Sequence, residues 1–446
     1  MINQFSSELS KNKHIRIGLL ILAVISNGVE FESFAQNLPR GALAFRLGMR
    51  PYLVTSEKYN SSENMVSLSD EYSTSFNGKN LLAGRGGSDL QRMAQEIQRY
   101  DPSPNNPQSP IQKLNLGQLD IDAKAEVNAF YMGLAYGITD SVSSFIAIPF
   151  ISAKTQLNIK HTGKNNAQEI SDELGDLAYP ELKEGLRKAS LISTDEVRNS
   201  ILSSGYTNLD GWQRKVWGDL QWGLNIDLSE HLFAKIPFKN SVKIVSHFPT
   251  GYIEKPEILS DLSFGDGGFG LTFGSTFSRF WHQNFNSAVQ FEYHKTMSHK
   301  RLMRVPLTDE TLVNSDRETV VTVNPGHQFE TALVLNAPIN IYIPSYQLSY
   351  SNHLQNHYSS NLAFNQSNIA KNTNTEKLKQ TIEIGISTVE KYVKNEFPFP
   401  FLASLSYSSS LWGKNIFAER YFDLSLTAFL PTPFMAKTKA DPILNR

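Results

Sequence analysis

The chain has no cysteine among its 446 residues, so neither a disulfide framework nor a thiolate metal site is open to it. It also lacks an excess of either charge: 42 Lys and Arg stand against 43 Asp and Glu, a formal net charge of -1. That balance gives no ground for a nucleic-acid partner or for any other strongly charged one. Long hydrophobic runs are scarce as well. A membrane-spanning helix needs roughly 20 apolar residues, and the run Ile17 to Ile25 falls well short. It follows Lys11, Lys13 and Arg16 and precedes Ser33-Phe34-Ala35. That order of basic, apolar and small residues reads as a secretory signal peptide over 1–35, cleaved after Ala35. The other reading, an N-terminal anchor, is disfavoured by the short apolar core.

What the chain has instead is alternation. From Trp217 to Leu228, Leu220, Trp222, Leu224, Ile226 and Leu228 alternate with Asp219, Gln221, Gly223, Asn225 and Asp227. Strand side chains point to opposite faces in turn, so this run is a strand with one apolar and one polar surface. Soluble strands average about 5 to 6 residues, whereas a spanning strand needs about 9 to 11. The length favours a transmembrane barrel over a soluble sandwich. A mean hydropathy of -0.31 is compatible with this, because a barrel shows lipid only every second residue of each strand.

The pattern recurs. Leu43, Phe45, Leu47 and Met49 oppose Arg46, Gly48 and Arg50 in a strand over Ala42 to Leu53; Phe130, Met132, Leu134, Tyr136 and Ile138 oppose Ala129, Tyr131, Gly133, Ala135 and Gly137. Val142 to Ala153 follows, made irregular by Pro149. Further strands carry Val242, Ile244 and Phe248; Phe269, Leu271, Phe273 and Phe277; Phe285, Val289, Phe291 and Tyr293; Phe329, Leu333 and Leu335; Tyr346, Leu348 and Tyr350; Ile382, Ile384 and Ile386; Phe401, Leu405 and Tyr407; and Phe422, Leu424 and Leu426. The expectation is an all-β antiparallel transmembrane barrel of about twelve strands, an even number as bacterial barrels require.

Charge placement tests that assignment, since a Lys or Arg on the lipid face at mid-membrane costs about 2 to 4 kcal/mol. Arg46, Arg50, Asp219, Asp227, Lys243, Glu292, Glu330, Lys379, Glu383 and Asp423 all fall on the non-lipid parity. Lys154, Glu390 and Arg420 are exceptions at strand ends. Short links at Thr139-Asp140, Phe238 to Ser241, Ser278 to Asn284, Asn336 to Asn340 and Tyr392 to Pro398 alternate with long ones, the habit of periplasmic turns and outer loops. The final outer link, Gly413 to Asn415, breaks that rule. Tyr131, Tyr136, Trp217, Trp222, Trp281, Tyr293 and Trp412 lie near strand ends, where interface girdles form.

Two outer excursions, 56–125 and 155–216, are long enough to hold structure. Ser88 caps a short helix whose Leu90, Met93 and Ile97 share a face. Leu182 and Leu186, then Val197, Ile201 and Leu202, suggest two amphipathic turns opened by Thr194-Asp195-Glu196. Either these helices pack on the rim or one excursion enters the mouth as a lid or plug.

Several phrases occur in the order of one family. Leu38-Pro39-Arg40-Gly41 leads into the first strand, Tyr136-Gly137-Ile138-Thr139-Asp140 precedes Ile148-Pro149-Phe150, Gly218-Asp219-Leu220 opens a strand and Phe248-Pro249-Thr250-Gly251 closes another. Over roughly Leu38 to Leu430 the chain resembles the outer-membrane barrels named for the meta-pathway of phenol degradation. It departs from them in its long excursions and in running past Phe429 to Arg446. The resemblance implies a channel for small, often hydrophobic molecules in the bacterial outer membrane.

The domain organisation expected is therefore a signal peptide over 1–35, a barrel over 36–430 and a periplasmic tail over 431–446. Partners expected are outer-membrane lipid and lipopolysaccharide, the barrel-assembly machinery and a small solute, hydrophobic or aromatic among the candidates. No enzyme activity, cofactor or metal is expected. His247 and His294, with Glu292 nearby, are the groups a barrel hydrolase would use, but polar residues lining a wet pore are the commoner explanation. The glycine-rich run Phe264 to Gly270 starts a strand with no helix behind it, which excludes a phosphate-binding loop. The candidate lumen-lining residues are Arg46, Arg50, Asp219, Lys243, Glu292, His294, Glu330, Lys379 and Glu383. The alternative is a closed barrel serving as a surface scaffold or adhesin, its lumen filled by salt bridges of Arg46 or Lys379 with Glu292 or Glu383.

Overall fold

The computed structural model describes residues 38–431 except 53–55, 69–72, 84–87, 102, 176–178, 230–237, 283 and 308–312. The expected signal peptide (1–35) and the tail beyond Pro431 lie outside the described residues. Twelve antiparallel strands form one closed sheet: β1 (Ala42–Pro51), β2 (Asn115–Gly137), β3 (Val142–Asn165), β4 (Leu220–Asp227), β5 (Phe238–Phe248), β6 (Gly270–His282), β7 (Phe285–Thr296), β8 (Gln328–Asn336), β9 (Tyr342–His353), β10 (Thr375–Ser387), β11 (Phe401–Lys414) and β12 (Arg420–Pro431). Each pairs with its sequence neighbour, and β12 closes on β1 through Ala42↔Pro431 to Met49↔Leu424. Within the closed section no strand edge is left unpaired, as hydrocarbon demands.

The exterior of the closed section is apolar. Phe45, Leu47, Phe130, Met132, Leu134, Phe273, Phe291, Leu333, Ile382, Leu405 and Leu424 are all exposed there. In a water-soluble chain these side chains would be the core; on a closed barrel they meet lipid.

The second and third strands correct the expected boundaries. β2 begins at Asn115, not near Val127, and β3 runs to Asn165, not Ala153, so the excursions shrink to 52–114 and 166–210. The reason is a reversal of amphipathy within one strand. Between Phe130 and Tyr136 the outward residues are apolar, but Asp120, Asp122, Lys124 and Glu126, on the same outward parity, are charged or polar, while the inward Ile121, Ala123, Ala125 and Val127 are buried. The hairpin leaves the hydrocarbon near Asn128 and continues into water by about 40 Å, taking about 3.3 Å per residue.

β4 is also shorter than expected, because the sheet breaks at Gly218-Asp219. A separate segment, Gly211–Trp217, pairs with the outer part of β3 while β4 pairs with its inner part. Pro149 sits at this break: its carbonyl accepts the Gly218 N–H at 2.9 Å. Its pairing with Tyr131 continues without a register shift, so the proline falls where β3 has no ladder partner to donate to. Phe238 to Ser241 belongs to β5 rather than to the preceding turn, and Trp281 and His282 end β6 rather than forming a turn.

The apolar inner face of the extended hairpin carries a cap. Four helices, α1 (Ser88–Tyr100), α2 (Ala167–Leu174), α3 (Pro180–Ser190) and α4 (Thr194–Ser203), bury Leu90, Met93 and Ile97, Ile170 and Leu174, Leu182 and Leu186, and Val197 and Ile201 against Ile121, Ile151, Leu157 and Ile159. The helix α2 was not expected, and Leu202 is exposed rather than buried. Because the covered hairpin face has lumen parity, the cap lies on the inner side of the wall and not outside the rim. The helix α4 starts where expected, with the Ser193 hydroxyl accepting the Glu196 N–H at 3.3 Å. Other outer connections join it. Arg304, from the link between β7 and β8, donates to the Ser204 and Gly205 carbonyls at 3.2 and 2.7 Å. Ile416–Phe417, from the short final link, pairs with Glu57–Tyr59.

Candidate functional site

The lumen has two charged walls on opposite sides of the barrel. On the first, the register places Arg50 beside Asp423, and Arg50 Nε lies 2.8 Å from Asp423 Oδ2. The other carboxylate oxygen accepts the Tyr131 hydroxyl at 2.6 Å. Arg46 Nη2 donates to Ser425 Oγ at 3.3 Å, Lys379 Nζ donates to the Tyr421 hydroxyl at 3.3 Å, and Lys377 pairs with Glu419 at 3.2 Å. The Arg50 guanidinium stacks on Tyr421 at 4.6 Å, adding cation–π attraction of about 0.5–2 kcal/mol. Hydroxyl pairs Thr381–Ser408 at 2.8 Å and Ser404–Ser425 at 3.0 Å complete the wall.

Tyr131 is here, 2% exposed, and not in the interface girdle where its place in the chain suggested it. It reaches Asp423 by lying across an intervening strand. Gly48 of β1 is in register with both Tyr131 of β2 and Ser425 of β12, and a Cβ there would sit 1.9 Å from Tyr131 Cζ.

The second wall repeats the device. Lys243 of β5 and Glu292 of β7 are both in register with Gly274 of β6. Lys243 crosses the glycine, whose Cβ would lie 2.5 Å from Lys243 Cε, and meets Glu292 at 2.5 Å. Glu330 is directly beside Glu292 on β8. Phe145 likewise lies over Gly223 of β4, 2.4 Å from the position of a Cβ. Glu383 stands on the inner parity of β10, in register with Ser345 and Ser406. Tyr131, Lys243 and Phe145 thus run along the sheet over a glycine.

The outer end of the second wall is tied to the loop between β5 and β6. His247 Nε2 and His294 Nδ1 share the Thr272 hydroxyl at 2.9 and 2.8 Å; His294 Nε2 meets Thr296 Oγ1 at 3.0 Å, which donates to Asp266 at 3.0 Å. Asp219 is not a wall charge. Its two oxygens accept the backbone N–H groups of Gly251 and Asp266, each at 2.8 Å, while Thr250 Oγ1 accepts from Leu220 N at 2.9 Å and donates to the Gly218 carbonyl at 3.2 Å. The two phrases Gly218-Asp219-Leu220 and Phe248-Pro249-Thr250-Gly251 are therefore halves of one knot. Its glycines are required by space: a Cβ on Gly251 or Gly265 would approach Asp219 Oδ1 to 2.8 or 2.7 Å. Beyond the knot the loop folds inward. Asp261 accepts from the Tyr252 hydroxyl at 2.6 Å and from the backbone of Lys255 and Leu262 at 2.9 Å, and burial pushes its carboxyl above the usual range. Thr155 Oγ1 donates to the Ser260 carbonyl at 3.0 Å, and Arg301 pairs with Glu254.

The chain is an outer-membrane-type β-barrel. It matches no known family model and no curated protein. Among solved structures it is similar to an outer membrane channel from Pseudomonas putida F1, at 10% identity and a TM-score of 0.48, over 88% of this chain and 97% of that one. It is also similar to the P. putida toluene transporter TodX, at 9% identity and a TM-score of 0.33 over 90% and 94% of the two chains. The NanC porin gives 7% identity and 0.30 over 70% and 98%. At these values the likeness carries no information about a solute.

The structure gathers Arg46, Arg50 and Lys379 on one wall and Lys243, Glu292, Glu330 and His294 on the other. Asp423 is sorted to the inner parity by the sequence without standing among the lumen candidates, and Tyr131, Tyr421 and Lys377 do not stand among them either. Asp423 and Lys377 had the right parity to be found. Tyr131 did not announce itself, because tyrosine suits a girdle equally well. Among the described residues no group of three His, Asp or Glu side chains is placed to hold a metal.

Proposed function

We propose that this chain is an outer-membrane channel that passes a small solute passively. The observation that carries the reading is the make-up of the lumen: charged and hydroxyl side chains, among them the pairs Arg50–Asp423 and Lys243–Glu292, line two opposite walls of a closed barrel whose exterior is apolar. Opposed charges on such walls act as selectivity elements. The resemblance to the phenol meta-pathway barrels supports a hydrophobic or aromatic solute. Planar-bilayer recording of the purified protein, with liposome-swelling assays comparing an aromatic acid and a sugar, tests this. Discrete conductance and faster aromatic flux are expected; a silent protein that also admits neither solute would overturn it.

A second reading, a surface scaffold, is favoured by one observation. The cap is tied down by links from several parts of the barrel, including Arg304 on the Ser204 and Gly205 carbonyls. If it is right, deleting 167–203 abolishes attachment to a cell or ligand and leaves permeability unchanged.

A further inference from the structure

Arg279 lies on the outward face of the closed section. It shares the outward parity of β6 with Phe273, Phe277 and Trp281, all exposed, and lies near the strand end opposite the cap. Its guanidinium carbon is 5.2 Å from the ring centroid of Phe238 and 4.1 Å from that of Trp281. Phe238 and Ser287 are its cross-strand partners, and the Trp281 indole N–H is fixed on Ser287 Oγ at 2.8 Å. The Nε is buried with no hydrogen-bond partner, and no carboxylate among the described residues pairs with the guanidinium.

Such a group is incomplete. Two rings supply cation–π attraction but no hydrogen-bond acceptor, and the buried Nε–H is left without the partner that a buried donor requires. On the outward face near the end of a spanning strand, the acceptor has to come from the bilayer. The guanidinium fork matches a phosphate bidentately, and at the end of the barrel away from the cap the adjoining leaflet is phospholipid. We propose that Arg279, clamped between Phe238 and Trp281, is a binding site for the phosphate of one glycerophospholipid, whose acyl chains run along Phe277 and Phe273. The site rests on the membrane reading of the barrel and is independent of conductance.

Native mass spectrometry of the full-length barrel released from detergent tests it, with phosphatidylglycerol, diacylglycerol or inorganic phosphate added. The wild type should retain one phosphatidylglycerol and neither of the others. Arg279→Gln should retain it about tenfold less well, the loss of a charge-assisted hydrogen bond of about 1.5 kcal/mol; Arg279→Lys should fall between. Lys239→Gln, which removes a neighbouring charge of the opposite parity, should behave as wild type. Unchanged heat-modifiable migration of each variant on gels reports that the barrel has folded. Equal retention by wild type and Arg279→Gln, retention of diacylglycerol, equal loss in Lys239→Gln, or Arg279-dependent binding of inorganic phosphate would each overturn the proposal. A barrel that conducts nothing but passes these tests would keep the lipid site and discard the channel.

Discussion

Gly48 carries a contact it does not itself make. Because any Cβ there would strike the Tyr131 ring, Gly48→Ala should eject the tyrosine from Asp423 and destabilise the barrel by about 1–3 kcal/mol, the usual cost of overpacking. Tyr131→Phe removes only the hydroxyl and should cost about 1.5–3 kcal/mol, as expected for a hydrogen bond to a carboxylate. Both act through one contact, so the double variant should cost clearly less than the sum; additive losses in urea unfolding would show that Gly48 matters for another reason. At this scale the sequence was partly legible. Parity alone sorted the charges of Arg50 and Asp423 to the inner face. It gave no means of knowing that Tyr131 would lie down over Gly48, since that depends on which residue of the next strand is in register.

The knot at Asp219 explains why the phrases around Gly218 and Thr250 occur together: one carboxylate accepts two backbone N–H groups from the two ends of the loop between β5 and β6. Asp219→Asn puts an amide donor against one of those N–H groups and should cost about 1–3 kcal/mol locally. The readout is limited proteolysis. Cleavage by a glutamate-specific protease after Glu257, in the inward-folded loop, should accelerate in the variant, and an unchanged rate would mean that the loop is held by its other contacts. The strands β2 and β3 show why element boundaries were harder to read than element identity. Alternation finds a strand by its contrast between faces, but the outer half of β2 reverses the contrast, apolar inside and charged outside. A reader looking for a lipid face stops at Asn128, where the solvent changes and the strand does not.

For the whole molecule, charge and cap make separable contributions. Lys243 partners Glu292, which lies beside Glu330. Lys243→Met leaves two carboxylates on that wall without this lysine and should move the reversal potential in a salt gradient towards cation selectivity; no shift would place that wall off the ion path. Removing 167–203 strips helices from the inner face of the hairpin and should raise single-channel conductance if the cap restricts entry. The crossing side chains over Gly48, Gly223 and Gly274 bear on both experiments. The inner wall is shaped by residues that have no side chain at all, so a methyl group added at any of the three would lift a tyrosine, a phenylalanine or a lysine off the wall. If the proposed channel is right, flux through it can therefore be throttled without adding or removing a single charge.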